Sequence, residues 1–552
     1  MLRILGPSLL LVTTAIAQTN FPPPLAPPNN QPNADKVLLG MALFFDEQLS
    51  STNKVACATC HKLSSAGIDP RAANSWNPGA DNTYGTADDQ RGSPGIALMG
   101  PNAQLIAHAL RGFGEQVTHR RAPTVINSGY VTPLGYTGSK ASLEDLIAVP
   151  PLNPVEMGFA GRTWQDVTQK LTSVVPLTLA SNLPGRLQNF IAGRTYPDMF
   201  QLAFGTTVLS KQNVTQAIAT YIRTLNSDQS KWDLHLNNQA TLTAEEQLGH
   251  TLFTTPVGTA AACSSCHGDF NTTVPTTGPV AGQMSQPFSS GYFGTFGTPV
   301  RLVFHNVGLR PPTEDLGRAL VTGQPEDRGS FRIASLRNVE LAGPYFHNGA
   351  VSTLEDAIEF YNQGGNGHQN QASVLTPRNY TPAEKAALVA ILKTLTDPRV
   401  AGGTFPFDGP TLASETGALP SSVGAGGITG SGEMIAAVPF AAMLGESNFK
   451  VTLTGATQGT PTYLMWDTAL TNSALPLNLQ LAISPSFQMF TMGPAAYQWS
   501  WSMAGSGVKI ADVPIPNNSA LSGQTLFAQW LALEPSTVGF VATSNAVRIP
   551  LH

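Results

Sequence analysis

Cysteine is scarce in this chain, charge is thin, and no long hydrophobic run follows the N-terminus. Only 4 of 552 residues are cysteine, which excludes the disulfide-dense scaffold that staples small secreted domains. Charged residues make up 12%, about half the usual ~25%. The net charge of −5 excludes the basic footprint of a nucleic-acid binder. No later run reaches the ~20 apolar residues of a membrane-spanning helix. What is abundant is glycine and proline, 52 and 43 residues, which points to long loops. With 42% hydrophobic residues the chain can bury real cores, and its length suits about three to four domains of ~150 residues.

The N-terminus reads MLRILGPSLLLVTTAIAQTN. One arginine precedes an apolar run that ends in Ala15-Ile16-Ala17. This is the pattern of a secretory signal peptide over residues 1–17, so a periplasmic or secreted protein is expected. Residues 18–32, QTNFPPPLAPPNNQP, read as a Pro/Asn linker.

An exported protein often spends its cysteines on disulfides. Here all four fall in CATCH (Cys57, Cys60, His61) and CSSCH (Cys263, Cys266, His267). C-x-x-C-H is the attachment signature of c-type haem. The two thiols add to the haem vinyl groups, and the adjacent histidine reaches the iron. Composition alone would yield roughly 5 × 10⁻⁴ accidental matches. A zinc site or a redox dithiol does not require histidine at the next position each time. Two covalent haems follow, with His61 and His267 as iron ligands.

The same lead-in, L-G-x-x-L-F, precedes both cysteine pairs, at Leu39–Phe44 and Leu248–Phe253. Helical patterns recur at 141–149, 212–225, 353–361 and 382–395, while strand signals are sparse before residue 400. Two haem domains of related design are expected, over 33–230 and 231–400. After 400 the texture changes: residues 401–552 hold no cysteine, one histidine and ten charged residues. Stretches such as NFKVTLTGA, PTYLMW, LNLQLAIS, YQWSWSMA and TLFAQWLAL alternate between turn residues. They predict an all-β, sandwich-like domain, read as a structural or adhesion module. The expected fold class is therefore mainly α, two cytochrome-c-like domains followed by an all-β C-terminal domain.

Residues 39 to 395 resemble the bacterial di-haem cytochrome c peroxidases and the related MauG-like enzymes. The resemblance rests on LLGMALFFDEQLS…CATCH, RRAPTVIN (120–127), ASLEDL (141–146), NPVEMG (153–158), CSSCH and FRIASLRNVELAGPYFHNGAVSTLEDAIEFYNQGG (331–365). It implies a peroxidatic haem in the first domain and an electron-transfer haem in the second. It implies that Glu156, in NPVEMG, is the acid–base group that moves a proton between the oxygens of peroxide. Many relatives place a ligating histidine seven residues before Arg120. That position is Phe113 here, which cannot ligate, so the first haem is expected to have an open site. His108 and His119 are neighbouring candidates for a ligand, weighed against ordinary surface or core roles. Relatives carry asparagine where this chain has Arg121, at a calcium site between the domains, which leaves calcium open. At GYTGSK, Tyr136 takes the position of a tryptophan lying between the haems, either as an electron relay or as packing. His347, in GPYFHNG, reads as structural or as a neighbour of the cofactor. Tyr361 falls fourteen residues after His347, where peroxidases have methionine and the MauG-like branch has an iron-bound tyrosine. Thioether favours Fe(II), whereas anionic phenolate favours the oxidised states. Simple packing is the rival role for Tyr361.

The expected function is a di-haem oxidoreductase that reduces hydrogen peroxide to water through a ferryl haem. The electron donor would be a small redox protein, a cytochrome c or a cupredoxin. The close competitor is a MauG-like enzyme that oxidises a side chain of a partner protein. Tyr361 and Phe113 favour the competitor, while Tyr136 and Ser139 depart from it. A third class is a non-catalytic electron-transfer cytochrome, and a fourth makes the β tail a surface-binding module.

Overall fold

The computed structural model describes residues 21, 23–101, 106, 108–111, 114–267 and 304–416, together with separate strand segments between 421 and 550. Up to residue 416 the chain is mainly helical. The first unit holds α1 (Ala34–Phe45), the one-turn α2 (Cys57–Cys60), α3 (Leu143–Ile147), α4 (Trp164–Ser173), α5 (Gly185–Ile191), α6 (Tyr196–Phe204) and α7 (Lys211–Ile222). The second holds α8 (Lys231–Leu236), α9 (Ala244–Thr254), α10 (Ser264–His267), α11 (Ala319–Thr322), α12 (Leu354–Asn362) and α13 (Pro382–Lys393), and α14 (Pro398–Ala401) and α15 (Ala413–Thr416) follow.

Local chemistry sets the helix starts. The Asn33 side chain accepts the Lys36 N–H at 2.7 Å and opens α1. Thr243 and Thr381 head capping boxes with Glu246 and Glu384, and Pro382 takes the first helical position of α13. Thr353 caps α12, the helix that carries Tyr361. The strands of this region are short pairs of two to four residues: β1 (Trp76–Asn77) with β2 (Gln90–Arg91), β3 (Pro94–Ala97) with β4 (Glu115–Val117), and β5 (Phe304–His305) with β6 (Phe331–Arg332).

The repeated L-G-x-x-L-F acquires a physical meaning here. A Cβ on Gly40 would lie 2.0 Å from the Ala217 carbonyl oxygen, and one on Gly249 would lie 2.0 Å from that of Ala387. Each glycine lets two helix backbones touch, α1 against α7 and α9 against α13. The phenylalanine of each repeat, Phe44 or Phe253, is buried in the core of its own unit. Gly40→Ala must push α1 away from α7 and is expected to cost at least ~1–3 kcal/mol, the usual range for overpacking. Thermal denaturation of the haem-loaded protein checks this; an unchanged Tm would mean that the helices do not meet at Gly40.

Two segments are more tightly built in than their composition suggests. Phe21, in the expected linker, is buried edge-on to Tyr130 at 6.2 Å, and the Arg337 guanidinium lies 4.7 Å over its ring. Asn30 is buried and donates to Glu144 Oε1 and to the Gln216 carbonyl. The boundary expected at 400 also falls inside packed structure. Val400, Phe407 and Leu412 join the core of the first unit, and Asp408 pairs with Arg186. The backbone of Thr411 bridges to Ser181. Glu47, itself buried, accepts the N–H groups of Ala413 and Ser414 at 2.8 and 3.0 Å. A few apolar anchors outweigh the Pro/Gly texture that reads as linker.

Beyond Thr416 the described backbone is strand. Thr462–Asp467 pairs antiparallel with Thr525–Leu533, Phe449–Thr454 with Lys509–Val513, and Leu470–Leu475 with Leu479–Ile483. The YQWSWSMA stretch lies outside the described residues, as does most of the chain between these strands.

Candidate active site

Both C-x-x-C-H segments fold the same way. Each forms one tight turn in which the histidine N–H donates to the carbonyl of the first cysteine, His61 to Cys57 at 2.9 Å and His267 to Cys263 at 3.0 Å. That turn brings the two thiols and the imidazole together. In the first segment the His61 Nδ1 lies 3.2 Å from the Gly67 carbonyl oxygen. This contact fixes the tautomer and leaves Nε2 as the available metal ligand. Burial lowers the pKa of the ring, which favours its neutral form. The His267 ring makes no equivalent contact among the described residues: its Nδ1 is buried without a hydrogen-bond partner, and burial lowers its pKa to about 4. Burial also pushes the Cys57 thiol up to about 12. A redox dithiol or thiolate–metal site needs the opposite shift.

Cys57, Cys60, His61, Glu156 and Tyr136 all line one cavity of about 1140 Å³. This exceeds the ~300–1,000 Å³ of an ordinary small-molecule site. Its walls are largely aliphatic, including Ile68, Val125, Leu146 and Ile222. A large, mostly apolar chamber with two thiols and a properly tautomerised histidine at one wall fits a covalently attached haem. Arg71 closes the thiol side: its Nη2 reaches the Cys60 Sγ at 3.3 Å, Asp69 at 2.9 Å and the Pro94 carbonyl at 2.8 Å.

Glu156 is placed by its own loop. The Asn153 side chain accepts the Val155 N–H at 2.9 Å and donates to Glu156 Oε1 at 3.0 Å. The buried Arg162 pins the loop by donating to the carbonyls of Pro151, Met157 and Leu49. Loss of water around the half-buried Glu156 carboxyl raises its pKa from 4.5 to about 7. A carboxyl poised near neutrality on a cavity wall is suited to give and take protons.

Tyr136 sits on the same cavity where the two units meet, and its carbonyl accepts the Arg332 N–H at 2.8 Å. His347 is not on that wall. It is buried beside it, 6.4 Å from the Tyr136 ring and stacked on Phe331 at 3.7 Å. Burial lowers its pKa to about 3, so the ring is neutral. Arg120 lies over Phe331 and binds Asp315 through two nitrogens at 2.6 Å each. Arg121 donates its backbone N–H to the His347 carbonyl and its side chain to that of Ala342. It therefore ties the units together directly. Among the described residues no cluster of three metal-ligating side chains is present, and nothing here bears calcium out. Phe113 lies outside the described residues. His108 and His119 both line the cavity; His119 is exposed, and His108 Nδ1 accepts the Leu110 N–H.

Cys263, Cys266 and His267 share the second turn, and Tyr361, on α12, lies within electrostatic reach of the two sulfurs. The Tyr361 phenol is raised above its ordinary pKa by burial first, and then by Cys266 and Cys263, while the charge of Arg378 works against that rise. The ring lies within a cluster with Phe346 and Phe360. The chain from 268 to 303, which follows His267, lies outside the described residues. The sequence pattern singles out His61, His267, Tyr361 and Glu156, but not the residues bonded around them, Asn153, Arg162, Arg71 and Arg378. Asn153 had a readable signal, since Asn two or three residues before a backbone turn bonds its own loop. The arginines act across long sequence gaps and left none.

Comparison with known proteins agrees with this geometry. Residues 34–241 match the family model described as di-haem cytochrome c peroxidase. The chain is 28% identical over 447 residues to the cytochrome-c peroxidase IdrP1 of Pseudomonas sp. strain SCT, covering 75% of this chain and 97% of that one. It is 27% identical over 376 residues to the methylamine utilization protein MauG of Methylorubrum extorquens, covering 67% and 80%. Among solved structures, a MauG-like protein associated with microbial copper homeostasis superposes with a TM-score of 0.50 at 27% identity, over 70% of this chain and 96% of the other.

Proposed function

We propose that this chain, which belongs to the di-haem cytochrome c peroxidase family and is a c-type di-haem oxidoreductase, reduces hydrogen peroxide to water in the cavity of its first unit. The observation that carries this reading is the Glu156 carboxyl, set on the same wall system as Cys57, Cys60 and His61 and poised near pH 7. A haem held by those three residues would supply the iron centre and the redox chemistry. Glu156 supplies the proton traffic. Its Oε1 is held by Asn153, which leaves Oε2 to take the proton from one peroxide oxygen and return it to the other. The second oxygen then leaves as water. Completing the reaction needs two electrons and two further protons, delivered from outside by a small redox protein. Tyr136, on the cavity wall between the units, is the residue best placed to pass them, with neutral His347 packed against it.

A MauG-like reaction on a partner protein is the second reading, and one observation favours it. The Tyr361 phenol is buried within electrostatic reach of Cys263 and Cys266, the neighbourhood that an oxygen ligand of the second haem would occupy. Its anionic form would hold that haem in oxidised states. The electron paramagnetic resonance spectrum of the isolated protein is expected to show one high-spin and one low-spin ferric haem. Tyr361→Phe is expected to alter the low-spin signal alone. Two low-spin signals in the parent would sink the open-site reading, and an unchanged spectrum in the variant would return Tyr361 to packing. No helix among the described residues is long and apolar enough to cross a membrane. Export to the periplasm or beyond is supported by the residue 1–17 pattern, which lies outside the described residues.

A further inference from the structure

Arg378 has no role in the function derived so far, yet it is the most constrained cation near the second haem site. It is 7% exposed. Among the described residues no carboxylate pairs with it, although buried charges are ordinarily paired. Its two terminal nitrogens are spent on two different segments. Nη1 donates to the Tyr361 carbonyl at 2.8 Å, and Nη2 donates to the Ala261 carbonyl at 2.9 Å. Tyr361 is on α12, whereas Ala261 is two residues before Cys263. The Arg378 N–H donates to the Asn362 carbonyl at 2.9 Å, and the Tyr380 N–H donates to Asn362 Oδ1 at 2.7 Å. The arginine is therefore sewn to the end of α12 on both sides of its own residue. Its charge is also felt at the Tyr361 phenol and at both cysteine sulfurs.

We propose that Arg378 is a positioning residue of the second haem unit: its planar fork spans the Tyr361 helix and the cysteine segment and fixes the distance between them. The proposal rests on the reading of Tyr361 as an iron ligand. A guanidinium suits the task because its two donors lie in one rigid plane, whereas a lysine ammonium is a single flexible point. Without the span, α12 and the CSSCH turn are held together only through the rest of the fold, and the ligand loses its fixed reach.

Arg378→Gln and Arg378→Lys, each purified with both haems attached, test this by electron paramagnetic resonance. The low-spin signal of the second haem is expected to shift and to lose intensity to a high-spin species in both, with the first haem's signal unchanged. Lysine fails to rescue because it reaches only one of the two carbonyls. A low-spin signal identical to the parent's in the variants overturns the proposal, even where Tm falls, because a purely structural arginine predicts that result. Should Arg378→Gln fail to load both haems, Arg378→Lys decides by the same spectrum. Tyr361→Phe separates the layers. A parental spectrum in that variant removes the ligand reading and the proposal with it, whereas an altered spectrum there with parental Arg378 variants removes the proposal alone.

Discussion

Glu156→Gln is expected to lower peroxide turnover by about 10²–10⁴-fold, the usual worth of a positioned acid–base group. Both haems should still load. The substitution preserves shape, and a glutamine oxygen can still accept from Asn153 Nδ2, so the loop keeps its bond. What disappears is the ability to hold and release a proton. The pH profile separates this from a binding defect. The pKa of the Glu156 carboxyl is about 7 because burial penalises its charge. The form that accepts the peroxide proton is the carboxylate, so parental turnover rises as pH passes upward through about 7, and the glutamine variant lacks that limb. The stability linkage has the opposite sign. A carboxyl whose folded pKa lies above its unfolded value of 4.5 favours the protonated native state. Its contribution is therefore lost as pH rises from about 4.5 to about 7. The glutamine variant should gain on the parent above that window. A loss of less than about tenfold, with the rising limb intact, would remove Glu156 from the chemistry.

How far the sequence carries depends on whether a residue's reason is local. Cys57, Cys60 and His61 are legible because haem attachment demands contiguous residues. Gly40 and Gly249 stood out as a repeat, but their purpose needed the partner backbones at Ala217 and Ala387. Those lie far away in sequence. The helices at 212–225 and 382–395 were visible from their apolar period, and the structure places them at Lys211–Ile222 and Pro382–Lys393. The packed character of residues 21–30 and 400–416 was hidden. Phe21, Phe407 and Leu412 are single apolar residues in polar, Pro-rich text, and their burial is decided by surfaces assembled elsewhere. Arg121 shows the same limit. The family resemblance marks its position for calcium, whereas its backbone and guanidinium bind the carbonyls of His347 and Ala342. No local pattern encodes a bond across more than 200 residues.

Asp233→Ala is expected to cost about 3–5 kcal/mol of stability, the range for breaking a buried ion pair from one side. Asp233 and Arg337 have side chains 1% exposed each. Asp233 Oδ2 accepts from the Ser230 N–H at 2.8 Å, the Ser230 hydroxyl at 2.6 Å and Arg337 Nη1 at 2.6 Å, and Oδ1 faces Arg337 Nη2. One carboxylate thus caps α8 and anchors an arginine that also packs on Phe21 and lines the first cavity. Alanine removes the cap and strands the guanidinium charge in a dry setting, which is why the loss should far exceed the ~0.5–2 kcal/mol of a helix cap alone. Urea denaturation of the haem-loaded protein measures it. The double variant Asp233→Leu, Arg337→Met supplies the contrast. Replacing both charges with apolar groups of similar bulk removes the desolvation cost along with the attraction, and such swaps are often neutral or stabilising. The double variant should therefore recover most of what the single one loses. Equal losses in both would mean that the stability at this junction comes from the cap and the hydrogen bonds rather than from the balance of the two charges.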